Sequence, residues 1–112
     1  MATLNMPNTW AEQATPESLE QEFNELARRW RSETGMASFI RQKAMHPAYQ
    51  MIIGMGKDAL PFIFRELRGR GGDWLWALES IVRPKVNPAQ GTTNFKEAVA
   101  AWLKWGKDNG YA

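Results

Sequence analysis

The chain has 112 residues, the size of one ordinary domain, and its 44% hydrophobic and 23% charged residues are typical of a globular protein. It contains no cysteine, which excludes a disulfide framework, a thiolate nucleophile and a cysteine-ligated zinc site. No stretch reaches the roughly 18 apolar residues of a membrane span, and the first residues lack the pattern of a secretory signal, so we expect a cytoplasmic protein without membrane contact.

The formal net charge of +2 is unevenly distributed along the chain. Residues 1–33 carry six acidic and three basic side chains, whereas the remaining residues carry six acidic and eleven basic ones. Such asymmetry arises when an acidic segment packs on its own basic neighbour, or when a basic face meets an anionic partner, and we favour the first explanation. The six tryptophans are an unusually large set for this length, and those not needed in the core become candidate contact points.

Residues 1–14 have no sustained hydrophobic period and are expected to form an N-terminal arm, followed by one helical domain over residues 15–112. Thr15 is a typical N-cap, and Pro16 suits the first helical position, so a helix is predicted to begin here and to end near Gly35. Its apolar stripe recurs at spacings of four, three and four residues, at Leu19, Phe23, Leu26 and Trp30.

Residues 36–45 predict a short second helix with one side formed by Met36, Phe39, Ile40 and Lys43. His46 precedes Pro47, and a residue before proline is disfavoured in the α region, so the chain is expected to break there and start a third helix. Gly56 predicts a left-handed stop after that helix. The apolar side of the third helix is expected to comprise Tyr49, Ile52, Ile53 and Met55.

Two more helices are predicted on either side of the RGRGG segment at residues 68–72. Asp58 is the expected N-cap of the first, with Pro61 in its first turn, and Asp73 is the expected N-cap of the second, which closes at Arg83 before Pro84. The apolar stripe of the first is Leu60, Ile63, Phe64 and Leu67. In the second, one face is formed by Trp74, Ala77, Leu78 and Ile81, with Trp76 and Val82 to either side.

Residues 84–92 contain two prolines and a glycine and predict a connecting loop. Asn94 and Glu97 have the spacing of a capping box for a last helix that ends before Gly106. That helix is expected to bury Phe95, Val99, Trp102 and Leu103, with Trp105 adjoining. Because no segment alternates apolar and polar residues with β-branched side chains, the predicted fold is all-α, a compact bundle of five or six short helices.

Residues 53–63 have the sequence IGMGKDALPFI, Glu66 and Leu67 follow, and residues 76–81 have the sequence WALESI. This glycine-ended helix, alanine-hydrophobic-proline opening and later alanine-hydrophobic pair resemble the HEAT-repeat family over residues 47–83. The resemblance implies a central HEAT-like hairpin in a domain that binds another macromolecule through an exposed face, and it implies no catalytic residue. Since a solenoid generally needs about three repeats, helices at both ends would have to cap the hairpin.

Four segments also resemble a group of small bacterial all-α proteins of unknown function. They are HPAYQ at residues 46–50, IGMG at residues 53–56, WLWAL at residues 74–78 and WLKWG at residues 102–106. This resemblance implies the same helical architecture and assigns no site residue.

The sequence contains no recognised catalytic or metal-binding pattern, so we predict no enzyme activity, no catalytic residue, no metal and no cofactor. The glycines at 54 and 56 lack a preceding strand and the complete pattern of a phosphate loop. His46 is the only histidine, and without a recognisable orienting partner it is expected to cap or pack at the helix entry. An active site completed by a partner or an oligomer is a third hypothesis, with His46 as its distinctive candidate.

We predict a partner-binding surface of basic and tryptophan side chains around the RGRGG segment. Its residues are Arg65, Arg68, Arg70, Trp74, Trp76 and Arg83. Trp74 and Trp76 lie about 200° apart on a helix, so one of them is expected in a groove, against another helix or at an interface. Tryptophan is enriched at interface hot spots, which favours a non-enzymatic protein-binding adaptor or regulator.

The alternative hypothesis is a nucleic-acid-binding accessory protein. In it, the basic rim of residues 65–85, which includes Lys85, would contact phosphates while a tryptophan stacks on bases. A net charge of only +2 is low for such a domain, which is why we place this hypothesis second. A homo-oligomer stays open as well, because an uncovered apolar helix face can close a dimer.

Overall fold

The computed structural model describes residues 15–36 and 39–112, and over those residues the chain forms six α-helices, one 3-10 helix and no strand. The helices are α1 (Pro16–Glu33), α2 (Ile40–Ala44), α3 (Pro47–Gly54), the 3-10 helix (Gly56–Ala59), α4 (Leu60–Arg68), α5 (Leu75–Val82) and α6 (Phe95–Asp108). The predicted all-α bundle is therefore confirmed. The predicted arm at residues 1–14 lies outside the described residues.

The start of α1 follows the sequence prediction. Thr15 is extended, with φ −69° and ψ 155°, and its Oγ1 accepts the Ser18 N–H at 3.2 Å while Pro16 occupies the first helical position. Of the predicted stripe, Leu19 is half-buried, and the buried members are Phe23, Leu26 and Trp30. The helix ends at Glu33, close to the predicted stop at Gly35.

The second helix is shorter than predicted. Instead of spanning residues 36–45, α2 covers one turn, Ile40–Ala44, and only Ala44 is buried in it. The apolar residues expected to pack are largely exposed: Met36 is 97% exposed, Phe39 68% and Ile40 41%. Five residues provide little more than one helical turn, so α2 offers too short a face to bury a stripe.

The entry to α3 is confirmed, and His46 has the capping role expected of it. His46 is extended before Pro47, with φ −60° and ψ 137°, and its Nδ1 accepts the Ala48 N–H at 3.0 Å. Its Nε2 lies 2.8 Å from Oε1 of Glu33 at the end of α1. The imidazole therefore ties the end of α1 to the start of α3. Gly56, with φ +68°, makes the predicted left-handed turn after α3.

Two predicted aspartate caps are wrong. Asp58 lies inside the 3-10 helix, and α4 begins at Leu60 without a side-chain cap because Ala59 already has helical angles, φ −81° and ψ −18°. Asp73 does not cap α5 either, since Trp74 is the N-cap residue there and has helical angles too. Where the backbone enters a helix without an extended residue, no aspartate oxygen faces the free N–H groups.

The last helix differs from the prediction at both ends. Phe95, expected in the core, is 52% exposed because it is the first residue of α6 and precedes the turns that pack. Gly106, expected to end the helix, lies buried within it. A Cβ at Gly106 would come within 2.8–2.9 Å of the Phe64 ring, so glycine here permits the close approach of α4 and α6. The N-terminal cap is confirmed, with Asn94 Oδ1 accepting the Glu97 N–H at 2.8 Å.

The core is centred on Trp74, whose indole is fully buried among three other rings. The centroids of Phe23, Trp30 and Tyr49 lie 5.6, 4.7 and 5.7 Å from the Trp74 ring. These rings come from α1 and α3, so the aromatic cluster joins α1, α3 and the start of α5. Aromatic pairs at these separations contribute beyond their buried area, by about 0.5–1.5 kcal/mol each.

Acidic residues of α1 contact basic residues that come later in the chain. Glu20 Oε2 lies 2.6 Å from Arg65 Nη1, and Glu33 contacts His46 as described above. In the opposite sense, Arg31 Nη1 lies 3.0 Å from Glu66 Oε1 on α4. The Glu20–Arg65 pair agrees with the internal explanation of the charge asymmetry, whereas the Arg31–Glu66 pair has the opposite polarity. Among the helices described, none is long and apolar enough to cross a membrane.

We expect Gly106→Ala to destabilise the protein. The added methyl group meets the buried Phe64 ring, and overpacking of this kind costs about 1–3 kcal/mol, more than the gain of up to about 1 kcal/mol from alanine's helix propensity. Urea denaturation measures the change. Gly54→Ala is the matched control because nothing lies within 4 Å of its Cβ position, and a larger loss at Gly54 than at Gly106 would contradict the packing described here.

We expect His46→Ala to lower the free energy of unfolding by about 1 kcal/mol, because the Ala48 N–H loses its acceptor. His46→Asn should recover most of that loss, since asparagine is a good N-cap. Thermal or urea unfolding at neutral pH compares the two variants. Equal destabilisation by both would show that the contact with Glu33, and not the cap, is what matters.

Candidate partner-binding groove

A groove of about 640 Å³ runs along the outer face of α5, between the start of α2 and the start of α6. It is lined by Ile40, Asp73, Leu75, Trp76, Glu79, Ser80 and Phe95. The α5 residues in it are spaced as neighbours on one side of a helix, so the groove follows the helix axis. Its apolar side chains are Ile40, Leu75, Trp76 and Phe95, and its polar ones are Asp73, Glu79 and Ser80, a mixture that occurs in binding sites.

The sequence of α5 explains why the groove is apolar. Six of its eight residues, LWALESIV, are apolar, and the two polar ones, Glu79 and Ser80, lie beside Trp76 on its outer face. Its inner face is covered, since Ala77 and Leu78 are fully buried next to Trp74. On the outer face, Leu75 and Trp76 are only half-buried. The described part of the chain therefore leaves one side of an apolar helix uncovered.

Hydrogen bonds from α3 hold α5 in this orientation. The buried Tyr49 hydroxyl donates to the Asp73 carbonyl oxygen and accepts the Ala77 N–H, each at 2.9 Å. Burial raises the pKa of the Tyr49 phenol well above its ordinary value, so the hydroxyl stays protonated and can make both bonds. Lys43 Nζ contacts Asp73 Oδ2 at 2.9 Å and ties α2 to the same segment. The wall of the groove is thus fixed by two neighbouring helices.

The two tryptophans of the predicted surface have separate roles. Trp74 is fully buried in the core, so its predicted part in direct partner contact is wrong: the indole is the centre of the aromatic cluster. Trp76 lines the groove. Residues about 200° apart on a helix point in nearly opposite directions, so one indole lies inside the protein when the other faces outward.

The predicted arginines do not join Trp76 in one surface. Arg65 contacts Glu20 and Asn24 of α1 and lies over the Phe62 ring, with its Cζ 5.3 Å from the centroid. Arg70 Nε lies 3.6 Å from Glu66 Oε1. Arg68 lines a second cavity of about 290 Å³, together with Leu103, Lys104, Lys107 and Ala112. Arg83 is an exposed residue with φ +49° that ends α5.

The charged side chains that line the groove are both acidic. Asp73 is paired with Lys43, whereas the exposed Glu79 has no basic partner among residues 15–36 and 39–112. Over the same residues, no group of three or more His, Asp or Glu side chains is placed to hold a metal ion. The groove therefore combines an apolar floor with an acidic edge.

Sequence reasoning found Trp76 but missed most of the groove. Leu75 and Glu79 share a side of the helix with Trp76, but no local pattern marks that side as uncovered. Ile40 and Phe95 carry no signal in the sequence at all. They were assigned to packed helix faces, and only the tertiary structure brings them beside α5.

We expect Tyr49→Phe to destabilise the protein by about 1–3 kcal/mol, because the Ala77 N–H loses its acceptor and the Asp73 carbonyl loses its donor in a buried place. Tyr111→Phe is the matched control, since no hydrogen bond of the Tyr111 hydroxyl occurs among the described residues. Urea denaturation of both variants measures the difference. A loss no larger than the control's would contradict the anchoring role of Tyr49.

Comparisons of this chain with protein-family models, with curated proteins and with solved structures found no match. The HEAT-like resemblance of residues 47–83 accordingly stays a prediction. The function has to be inferred from the chemistry of the groove itself, that is, from Trp76, its apolar neighbours and the acidic edge.

Proposed function

We propose that this protein is a non-enzymatic adaptor or regulator that binds a protein partner through the groove along α5. The observation that carries the proposal is the pair Leu75 and Trp76, two large apolar side chains that the described residues leave only half-buried on the outer face of α5. The HEAT-like architecture and a cytoplasmic location, both expected from the sequence, belong to the same proposal.

The composition of the groove fits a protein interface. Leu75, Trp76 and Phe95 provide large apolar side chains, and each Å² of apolar surface that a partner covers contributes roughly 25 cal/mol before the costs of association. Asp73, Glu79 and Ser80 supply its polar groups. Protein interfaces combine apolar and polar side chains, and tryptophan is enriched among their hot spots.

One exposed apolar residue adjoins the groove in sequence. Phe39 directly precedes the groove residue Ile40 and is 68% exposed. Single exposed apolar residues are ordinary on protein surfaces, so Phe39 matters here only as the neighbour of Ile40.

The nucleic-acid hypothesis has weaker support. Trp74 is buried and has no face free for a base, while Arg65 and Arg70 contact carboxylates. The observation in its favour is the second cavity, where Arg68 lies with Lys104 and Lys107. Such a cluster would bind phosphates through charge alone, with an affinity that falls steeply as salt rises.

The proposal predicts that a protein partner is lost when the groove is altered. In captures from extracts of the source cell, a specific protein should bind the wild-type chain. With Phe95→Gln and with Trp76→Ala, that protein should be lost or reduced at least about tenfold, because removal of a hot-spot anchor costs about 2 kcal/mol or more. Phe95 is half-exposed at the first position of α6, so its replacement spares the core.

Arg68→Gln provides the matched control, since Arg68 is an exposed residue that lies outside the groove. Circular dichroism and thermal unfolding confirm that each variant is folded. A partner that binds all three variants as tightly as the wild type contradicts the groove as its site. A partner lost only with Arg68→Gln moves the binding site to the basic cavity, and nucleic acid in the captured material would then favour the second hypothesis.

A further inference from the structure

We infer that the segment bound in the groove is an amphipathic α-helix whose apolar stripe lies on Trp76 and whose flanks carry lysine or arginine. This inference rests on the proposed function and adds the chemistry of the partner. It follows from two properties of the groove: its walls offer a bound backbone almost nothing to pair with, and its charged edge is acidic.

The first property determines the conformation of the occupant. Four of the seven lining residues belong to α5, a helix whose backbone groups pair within the helix, and no sheet edge exists among the described residues. The Ser80 hydroxyl donates to the Trp76 carbonyl oxygen at 2.8 Å, so it is already engaged. An extended peptide would lie here with unpaired N–H and C=O groups against apolar side chains, which is costly. A helix pairs its own backbone and presents only side chains.

The second property determines the charge of the occupant. Glu79 and Asp73 give the groove a negative edge, although the whole chain has a net charge of +2. Asp73 is partly neutralised by Lys43, so Glu79 is the principal free carboxylate. Lysine or arginine side chains beside the apolar stripe of the bound helix would pair with Glu79. Acidic side chains at the same positions would be repelled by Glu79. Charge complementarity of this kind selects the partner more than it raises affinity.

Two designed peptides test this inference directly. Both are helical, about 18 residues long, with the same leucine stripe at i, i+3, i+4 and i+7; one has lysines on its flanks and the other has glutamates. Fluorescence anisotropy measures the binding of each labelled peptide to the full chain. Nonspecific attraction to a net positive protein would favour the glutamate peptide. If the lysine peptide binds more tightly than the glutamate peptide, by about fivefold or more at low salt, the peptide binds at the acidic groove and not through the net charge of the protein.

Two substitutions locate the effect. Glu79→Lys should abolish or reverse the preference for the lysine peptide, because it replaces the free carboxylate of the groove edge with a cation. Glu22→Lys makes the same change of charge at an exposed position of α1 outside the groove, and it should leave the preference within about twofold of the wild type. Phe95→Gln leaves the charge of the protein unchanged. It should weaken the binding of both peptides to the same extent, because it reduces the apolar contact that both make.

The outcomes separate this inference from the proposed function. If both peptides require Phe95 but bind equally well, or if Glu79→Lys changes nothing, the helix-with-basic-flanks inference is overturned while the groove remains the binding site. If neither peptide binds, or if binding is indifferent to Phe95→Gln, the inference is overturned, and the capture experiment with Phe95→Gln decides separately whether a partner uses the groove. If the chain alone is a dimer that Phe95→Gln dissociates, a second copy occupies the groove, and the inference is overturned in that way.

Discussion

The packing of Trp74 among the rings of Phe23, Trp30 and Tyr49 is the constraint on which the rest of this structure depends. The indole precedes α5 and is enclosed by residues of α1 and α3, so three separate parts of the chain must be in place before it is removed from water. No group among residues 15–36 and 39–112 accepts a hydrogen bond from its nitrogen, so within that part of the chain apolar and aromatic contacts alone hold the indole. Dispersion and burial therefore exceed the cost of one unpaired donor at this point.

That constraint also determines which surface is left for function. Once Trp74 faces inward, the direction of α5 is fixed, and Tyr49 holds it through its hydroxyl. Trp76 must then lie on the far side, where α2 and the start of α6 approach closely enough to form a groove but not to fill it. The interior and the candidate binding surface are two sides of one short helix. A change in the core around Trp74 would consequently alter the groove even though it touches none of the groove residues.

The sequence predicted helices where local chemistry decides the backbone. Thr15, His46 and Asn94 are extended residues whose side chains accept a helical N–H, and each lies at a helix start that the sequence predicted. Asp58 lies inside the 3-10 helix, and Asp73 precedes an N-cap residue that already has helical angles, so neither aspartate caps a helix. Capping depends on the angles of one residue, and those angles are determined by how the preceding turn is packed.

The site was less predictable than the fold, for a related reason. The arginines near the RGRGG segment are close in sequence, yet Arg65, Arg68 and Arg70 contact different elements, because successive positions on a helix or turn point in different directions. Only Trp76, whose exposure follows from the burial of its neighbour, lay within reach of sequence reasoning. Ile40 and Phe95 join it through tertiary packing, which no local pattern reveals.

The close approach at Gly106 has a consequence for how this fold can evolve. The Phe64 ring occupies the space that any side chain at position 106 would need, so α4 and α6 are joined at a point where neither partner is free to vary alone. A smaller residue at position 64 would leave a void between α4 and α6. That void would accommodate the side chain of alanine or serine at position 106. Substitutions at these two positions should therefore be inherited as a compensating pair, although the residues belong to different helices and are far apart along the chain.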